Sequence, residues 1–156
     1  MKCKLVASFC SVAILVGTLF GATVYAKAPV KSAEPMTKRE MASVEGKGNF
    51  PSGYCTWFVD QQVRKYWGKS KGTNWQGNAG EWYTNAKAAG AKVGKTAKEK
   101  SIIVLNEGGV GHVAWVKKIS GNKITIEEMN YVGFNKASTR TIAKDYSKIK
   151  GYIYKF

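Results

Sequence analysis

The chain has 156 residues, with 25 Lys and Arg against 10 Asp and Glu, a formal net charge of +15, and 44% hydrophobic residues. Its 5 Trp, 8 Tyr and 6 Phe are more apolar material than a solvated polycationic tail needs, which excludes a disordered chain and leaves about one folded domain at this length. The positive balance implies a polyanionic partner without naming it, because nucleic acid and any other polyanion attract the same surface.

The N-terminus reads as an address. Residues 1–26 open with Met1-Lys2-Cys3-Lys4, run almost unbroken and apolar from Leu5 to Val24, and close on Val24-Tyr25-Ala26, with small residues at the −3 and −1 positions of a cleavage site. That is the pattern of a secretory signal peptide. An apolar helix of this length would also cover about 30 Å, so an uncleaved membrane anchor is the competing reading. Phe9 before Cys10 argues against a lipoprotein anchor. Without this segment, only Cys55 remains of the three cysteines Cys3, Cys10 and Cys55. In an exported protein, a lone cysteine is buried and inert, paired with another molecule, or chemically used. Residues 27–48 mix Lys, Glu, Ala, Ser and Pro with little periodicity and read as a linker, leaving 49–156 as the folded domain.

Within that domain, apolar residues at Cys55, Phe58, Val59, Val63, Tyr66 and Trp67 have helical spacing, with Ser52 placed as a cap, so Cys55 falls in the first turn. A glycine-rich loop (68–77) follows. A second helix is marked by Asn78 as N-cap, Glu81 in the capping-box position, apolar residues from Ala79 to Ala89, and Gly90 as terminator. Beyond Gly94 the period becomes two. Strands are expected over Ile102–Leu105, His112–Ile119, Lys123–Asn130, Ser138–Ala143 and Tyr152–Phe156, with Gly121-Asn122 as a tight turn. Helices followed by an antiparallel sheet make an α+β domain.

Strand alternation carries the reading further. Ile124, Ile126, Glu128 and Asn130 share one face of their strand, and the two isoleucines mark it as the core face, opposite Lys123, Thr125, Glu127 and Met129. Hairpin pairing brings His112 near Glu128 and Asn130. A buried carboxylate beside the chain's single histidine needs a reason. A helix N-terminus and an adjacent imidazolium are the two means of forming a thiolate at neutral pH; Cys55 has the first, and His112 would supply the second. Glu128 would then fix the imidazole, Asn130 would support it, and backbone N–H groups at the helix start would form an oxyanion hole. The plainer alternative is a small core cysteine and a structural histidine.

At these residues the chain resembles the CHAP family of cysteine- and histidine-dependent amidohydrolases and peptidases that cleave peptidoglycan. FPSGYCTWFV (50–59) resembles its cysteine block, GNAGEWYTNAKAAG (77–90) the following block, GHVAWVKKI (111–119) the histidine block, and ITIEEMNYVG (124–133) the acidic block. The resemblance implies a papain-like fold with Cys55 as nucleophile, His112 as base and acid, Glu128 as orienting carboxylate and Asn130 in support. Tyr54 stands where the family commonly has Gln. Asn49 to Tyr54 lacks the acidic calcium loop of some phage members, so no metal and no cofactor are expected.

The function expected from the resemblance is secreted hydrolysis of a peptidoglycan amide by a monomer, as muramoyl–alanine amidase or peptide endopeptidase. Tyr54, Trp57, Trp75 and Trp115 are the candidate substrate contacts, although tryptophans are more often core. The positive charge then suits anionic wall polymers, nucleic acid is not an expected partner, and a membrane is one only if the N-terminal segment stays attached. The alternative is a non-enzymatic basic protein that binds wall polymer or nucleic acid with the same fold.

Overall fold

The computed structural model describes residues 34–35 and 49–156. The expected export segment 1–26 and most of the expected linker 27–48 lie outside the described residues. Of that linker, Glu34–Pro35 forms a two-residue strand, β1. The other elements are helix α1 (Cys55–Trp67), a 3-10 turn (Ala79–Glu81) running into helix α2 (Trp82–Ala88), and strands β2 (Val93–Gly94), β3 (Ile102–Leu105), β4 (His112–Ser120), β5 (Lys123–Met129), β6 (Ala137–Ala143) and β7 (Ile149–Ile153). All strand pairs are antiparallel, in the order β1-β6-β5-β4-β3-β7-β2. This is the α+β architecture expected from the change of period.

Helix α1 buries Phe58, Val59, Val63 and Trp67, a stripe at spacings of one, four and four residues, and Gly68 ends it in the left-handed region at φ 68°. Its N-cap is Tyr54 in an extended conformation, with no side-chain capping bond. Ser52, expected as the cap, stands two residues too early, so the first-turn N–H groups of α1 have no side-chain acceptor at the cap. Asn78 does open the second helical segment with the expected capping box, its N–H donating to Glu81 Oε2 at 2.8 Å.

The sheet has a core on each face. Ile103, Leu105, Ala114, Val116, Ile124, Ile126, Ile142 and Tyr152 form one, with Ala97 and Tyr146 packed against it. Ile102, Val104, Val113, Trp115, Met129 and Ile153 form the other, together with the buried residues of α1 and α2. Met129 and Glu127, expected on an outer face, are therefore buried. Double-sided burial also displaces β7, expected at Tyr152–Phe156 and found at Ile149–Ile153. Adjacent residues Tyr152 and Ile153 enter opposite cores, which removes the polar alternation that marks a half-exposed strand.

Candidate active site

Cys55 is the first residue of α1 and is 9% exposed. His112 is the first residue of β4 and pairs with Leu105 at the end of β3. The β4–β5 register, Trp115 opposite Glu127 and Val116 opposite Ile126, puts His112 diagonal to Glu128 on the same face. His112 Nε2 lies 2.9 Å from Glu128 Oε2. The other ring nitrogen, Nδ1, is thereby left for the Cys55 thiol, with which the imidazole also hydrogen-bonds. The ring thus spans the gap between the helix start and the carboxylate row of the sheet.

The electrostatics follow from these contacts. Burial pushes the Cys55 thiol up, but the hydrogen bond and charge of His112, with the Val113 and Thr56 amides, outweigh it and hold the thiol below its ordinary value. Burial pushes His112 down, yet its bonds to Cys55 and Glu128 prevail, and its pKa is pushed up to about 9. The pair therefore favours thiolate and imidazolium. An ionised sulfur beside a protonated imidazole is equipped to attack a carbonyl and to return a proton to a leaving group.

Glu128 is itself 0% exposed, and a buried carboxylate is costly unless paired. Arg140 of β6 supplies the charge, its Nε lying 2.8 Å from Oε1 and 3.2 Å from Oε2. The rest of its guanidinium grips Glu107 in a fork, Nη1 to Oε1 at 3.0 Å and Nη2 to Oε2 at 2.5 Å. Burial pushes the Glu107 carboxyl up, while Arg140 more than offsets this and holds it below the usual carboxylate range. The Tyr131 ring lies 3.8 Å from the Arg140 guanidinium carbon and 5.8 Å from the His112 ring, covering both. Sequence reasoning missed Arg140, Glu107 and Tyr131. The available signal was Arg140 on the inward-facing row of β6, opposite Ile126.

The remaining expected residues are distributed unevenly. Asn130 follows β5 in a left-handed conformation at φ 62°, and its backbone N–H donates to the Lys136 carbonyl, closing the 131–136 loop. Tyr54 stands exposed at the N-cap, and Trp57 is half-buried against the helix-side core. Trp75 and Trp115 correct the expectation of substrate contact: at 3% and 2% exposure they are core residues. Trp75 packs edge-on to Trp82 and Phe156, and Trp115 against Tyr66 and Trp67. Large aromatics bury more area in a two-faced core than in a groove.

Exposed apolar side chains instead come from the loops beside the site. Val110 precedes Gly111 and His112, while Tyr131, Val132 and Phe134 follow Glu128 and Asn130. Phe134 is 61% exposed, meets Tyr54 edge-on with ring centroids 5.2 Å apart, and rests over Gly53, where a Cβ would lie 2.7 Å from its ring. Contiguous exposed apolar side chains mark a binding surface more often than isolated ones do.

Comparison with known proteins gives a consistent picture. The CHAP domain family model matches residues 45–130. Probable autolysin LDP of Staphylococcus aureus is 41% identical over 110 residues, covering 69% of this chain and 39% of that protein. Staphylococcal secretory antigen ssaA2 of the same organism is 36% identical over 109 residues, covering 69% and 38%. The chain thus spans under two fifths of the length of either relative. A crystal structure of N-acetylmuramoyl-L-alanine amidase from Staphylococcus aureus superposes with a TM-score of 0.64 at 27% identity, covering 73% of this chain and 34% of that one. The crystal structure of Ly7917 has the same fold, with a TM-score of 0.53 at 21% identity over 71% of this chain and 55% of that one.

Proposed function

The chain belongs to the CHAP domain family, and from that premise we propose that it is a secreted peptidoglycan hydrolase. In this reading residues 1–26 direct export, 27–48 tether, and 49–156 cut an amide of the stem or cross-bridge. The observation that carries the proposal is the contact of Cys55, at an uncapped helix start, with a His112 whose far nitrogen is held by Glu128 at 2.9 Å. Autolysin and amidase relatives support the choice of substrate.

The chemistry follows from the geometry. The Cys55 thiolate attacks the amide carbonyl, and the oxyanion is received by N–H groups of the first turn of α1, left without a side-chain acceptor at the cap. Imidazolium His112 donates its Nδ1 proton to the amine as the C–N bond breaks, leaving a thioester on Cys55. Neutral His112 then takes a proton from water, which attacks the thioester and releases a carboxylic acid. The returned proton restores the ion pair. Glu128 fixes the ring through Nε2, and Arg140 fixes Glu128. Muramoyl–alanine amidase and endopeptidase action use the same steps. The relative whose solved structure is an amidase favours the former.

Digestion of purified walls, followed by mass spectrometry of the fragments, tests this reading. New free amine and carboxyl ends should appear with the wild-type chain and vanish with Cys55→Ala. Fragments released equally by Cys55→Ala would refute it, as would binding to walls without any cleavage.

A further inference from the structure

A second cleft lies at the other end of α1. It has a volume of about 520 Å³ and is lined by Tyr66, Trp67, Tyr154 and four lysines, Lys92, Lys98, Lys100 and Lys155, with Glu99 and Ser101. Trp67 is the last residue of α1 and Cys55 the first, so at about 1.5 Å per residue the two ends are about 18 Å apart. Lys100 and Ser101 immediately precede β3, whose opposite end pairs with His112. The cleft is therefore separate from the cysteine site and joined to it by one rigid helix.

The cleft keeps a net positive charge, with four lysines against the single carboxylate of Glu99. None of its four lysines makes an ion pair among the described residues. The one carboxylate in the lining, Glu99, accepts the Ile119 N–H through Oε1 at 2.8 Å. Four acidic side chains outside the cleft are ion-paired elsewhere: Asp60 to Arg64, Glu127 to Lys117, and Glu107 and Glu128 to Arg140. Clustering like charges costs stability, which a bound anion would recover.

The cleft is also fixed in shape. Lys100 adopts a left-handed φ of 58°, uncommon for a residue with a Cβ. It is held there by its N–H to the Val116 carbonyl and by Trp67 Nε1 to its own carbonyl, each at 2.8 Å. The Ser101 hydroxyl donates to the Lys98 carbonyl at 2.6 Å, and the Tyr154 hydroxyl to that of Thr96 at 2.7 Å. Aromatic rings lie among the ammonium groups: the Lys98 ammonium sits 4.9 Å from the centre of the Tyr154 ring, and Tyr66, stacked on Trp115, lies under Lys65 at 4.9 Å. Point charges alternating with apolar walls suit a chain in which phosphates alternate with short carbon units.

We propose that this cleft is an exosite for a linear polyol-phosphate polymer of the cell wall, anchoring the domain while the far end of α1 meets peptidoglycan. The wall location of the polymer rests on the hydrolase reading; the binding itself does not. The test measures affinity of the full chain for poly(glycerol phosphate), which contains no amide, so failure of Cys55 to hydrolyse walls would leave the measurement intact. Lys98→Gln, Lys100→Gln and Lys155→Gln together should weaken binding about tenfold or more at low salt and flatten the log–log salt dependence by about 2. The control triple Lys123→Gln, Lys144→Gln and Lys148→Gln, exposed lysines outside the cleft, should change affinity less than twofold. Equal losses in the two triples would reduce the effect to diffuse charge and overturn the site, and so would no loss in the first. Tighter binding of a single-stranded oligonucleotide through the same three lysines would overturn the choice of ligand.

Discussion

The ion pair of Cys55 and His112 makes a prediction that alkylation can read directly. His112 is pushed up to about 9 from 6.5 by its bonds to Cys55 and Glu128, a displacement worth about 3 kcal/mol. Because the thiolate and the imidazolium share one interaction, that figure belongs to the pair. Charged His112 contributes stability that is fully present below 6.5 and is lost as pH rises through about 9. The lowered thiol contributes in the opposite sense, present at high pH and lost as pH falls through its folded value. Reactivity should therefore extend well below the ordinary thiol range. At pH 6 a thiol with a pKa of 9.0 is ionised to only about 0.1%. Wild-type Cys55 should react with iodoacetamide at that pH on the order of a hundredfold faster than in His112→Ala, a gain tempered by the weaker nucleophilicity of a low-pKa thiolate. Glu128→Gln keeps an acceptor for the His112 ring but removes the charge that helps raise it, so the alkaline limb of wall cleavage should move down from about 9. Equal labelling of wild type and His112→Ala at pH 6, with one rise near 9, would refute the ion pair.

Other changes test the supports of the site. Arg140→Met leaves buried Glu128 and half-buried Glu107 without their shared counter-charge and should cost about 3–5 kcal/mol in urea denaturation, with Arg140→Lys recovering only part because it cannot bridge Glu128 and Glu107 together. Gly111→Ala sets a Cβ against the Cα and N of Gly80 at a φ of 82°, so the loop ahead of His112 must shift; unfolding should become easier by about 1–3 kcal/mol and kcat should fall. Trp115→Ala should destabilise by about 3–5 kcal/mol by opening a cavity between α1 and the sheet, seen as a lower midpoint in thermal melts. Phe134→Ala removes an exposed ring beside the cysteine helix and should raise KM for wall fragments several-fold, with melting changed by less than about 0.5 kcal/mol in stability; an unchanged KM would exclude the ring from substrate recognition.

Local patterns made much of this fold legible. The stripe from Phe58 to Trp67 and the alternation of Ile124, Ile126 and Glu128 each encode a face within a single element, and the structure keeps both. What stayed hidden depended on elements distant in sequence. Met129 looks like an outer-face residue until α1 covers it, and β7 loses its alternation because both of its faces are buried. Trp75 and Trp115 could not be assigned to core or groove from sequence, because an aromatic residue suits either and only the packing of α1, α2 and Phe156 decides. The pairing of His112 with Glu128 could be inferred because one hairpin register places both, whereas the arrival of Cys55 beside them followed from its chemistry and the family resemblance, since no local pattern seats a helix start against a sheet. Arg140 needed a second register, that of β6 on β5, and Glu107 needed the path of an irregular loop.

That hidden half of the site explains how the legible half is tolerated. A carboxylate at 0% exposure would tend to leave the core or neutralise itself, and a histidine relying on it would lose its charge. With the thiol ionised, Cys55, His112, Glu128, Arg140 and Glu107 form a chain of alternating sign, each interior member between two opposite charges. From His112 to Glu107 each link is a hydrogen-bonded contact, which is the condition for buried ions to repay their desolvation. The chain leaves the core at Glu107, whose carboxylate also accepts a bond from Tyr146. Burying one reactive pair at the start of α1 thus calls for a counter-charge two strands away, and the inward-facing row of β6 supplies it at Arg140 between Ser138 and Ile142.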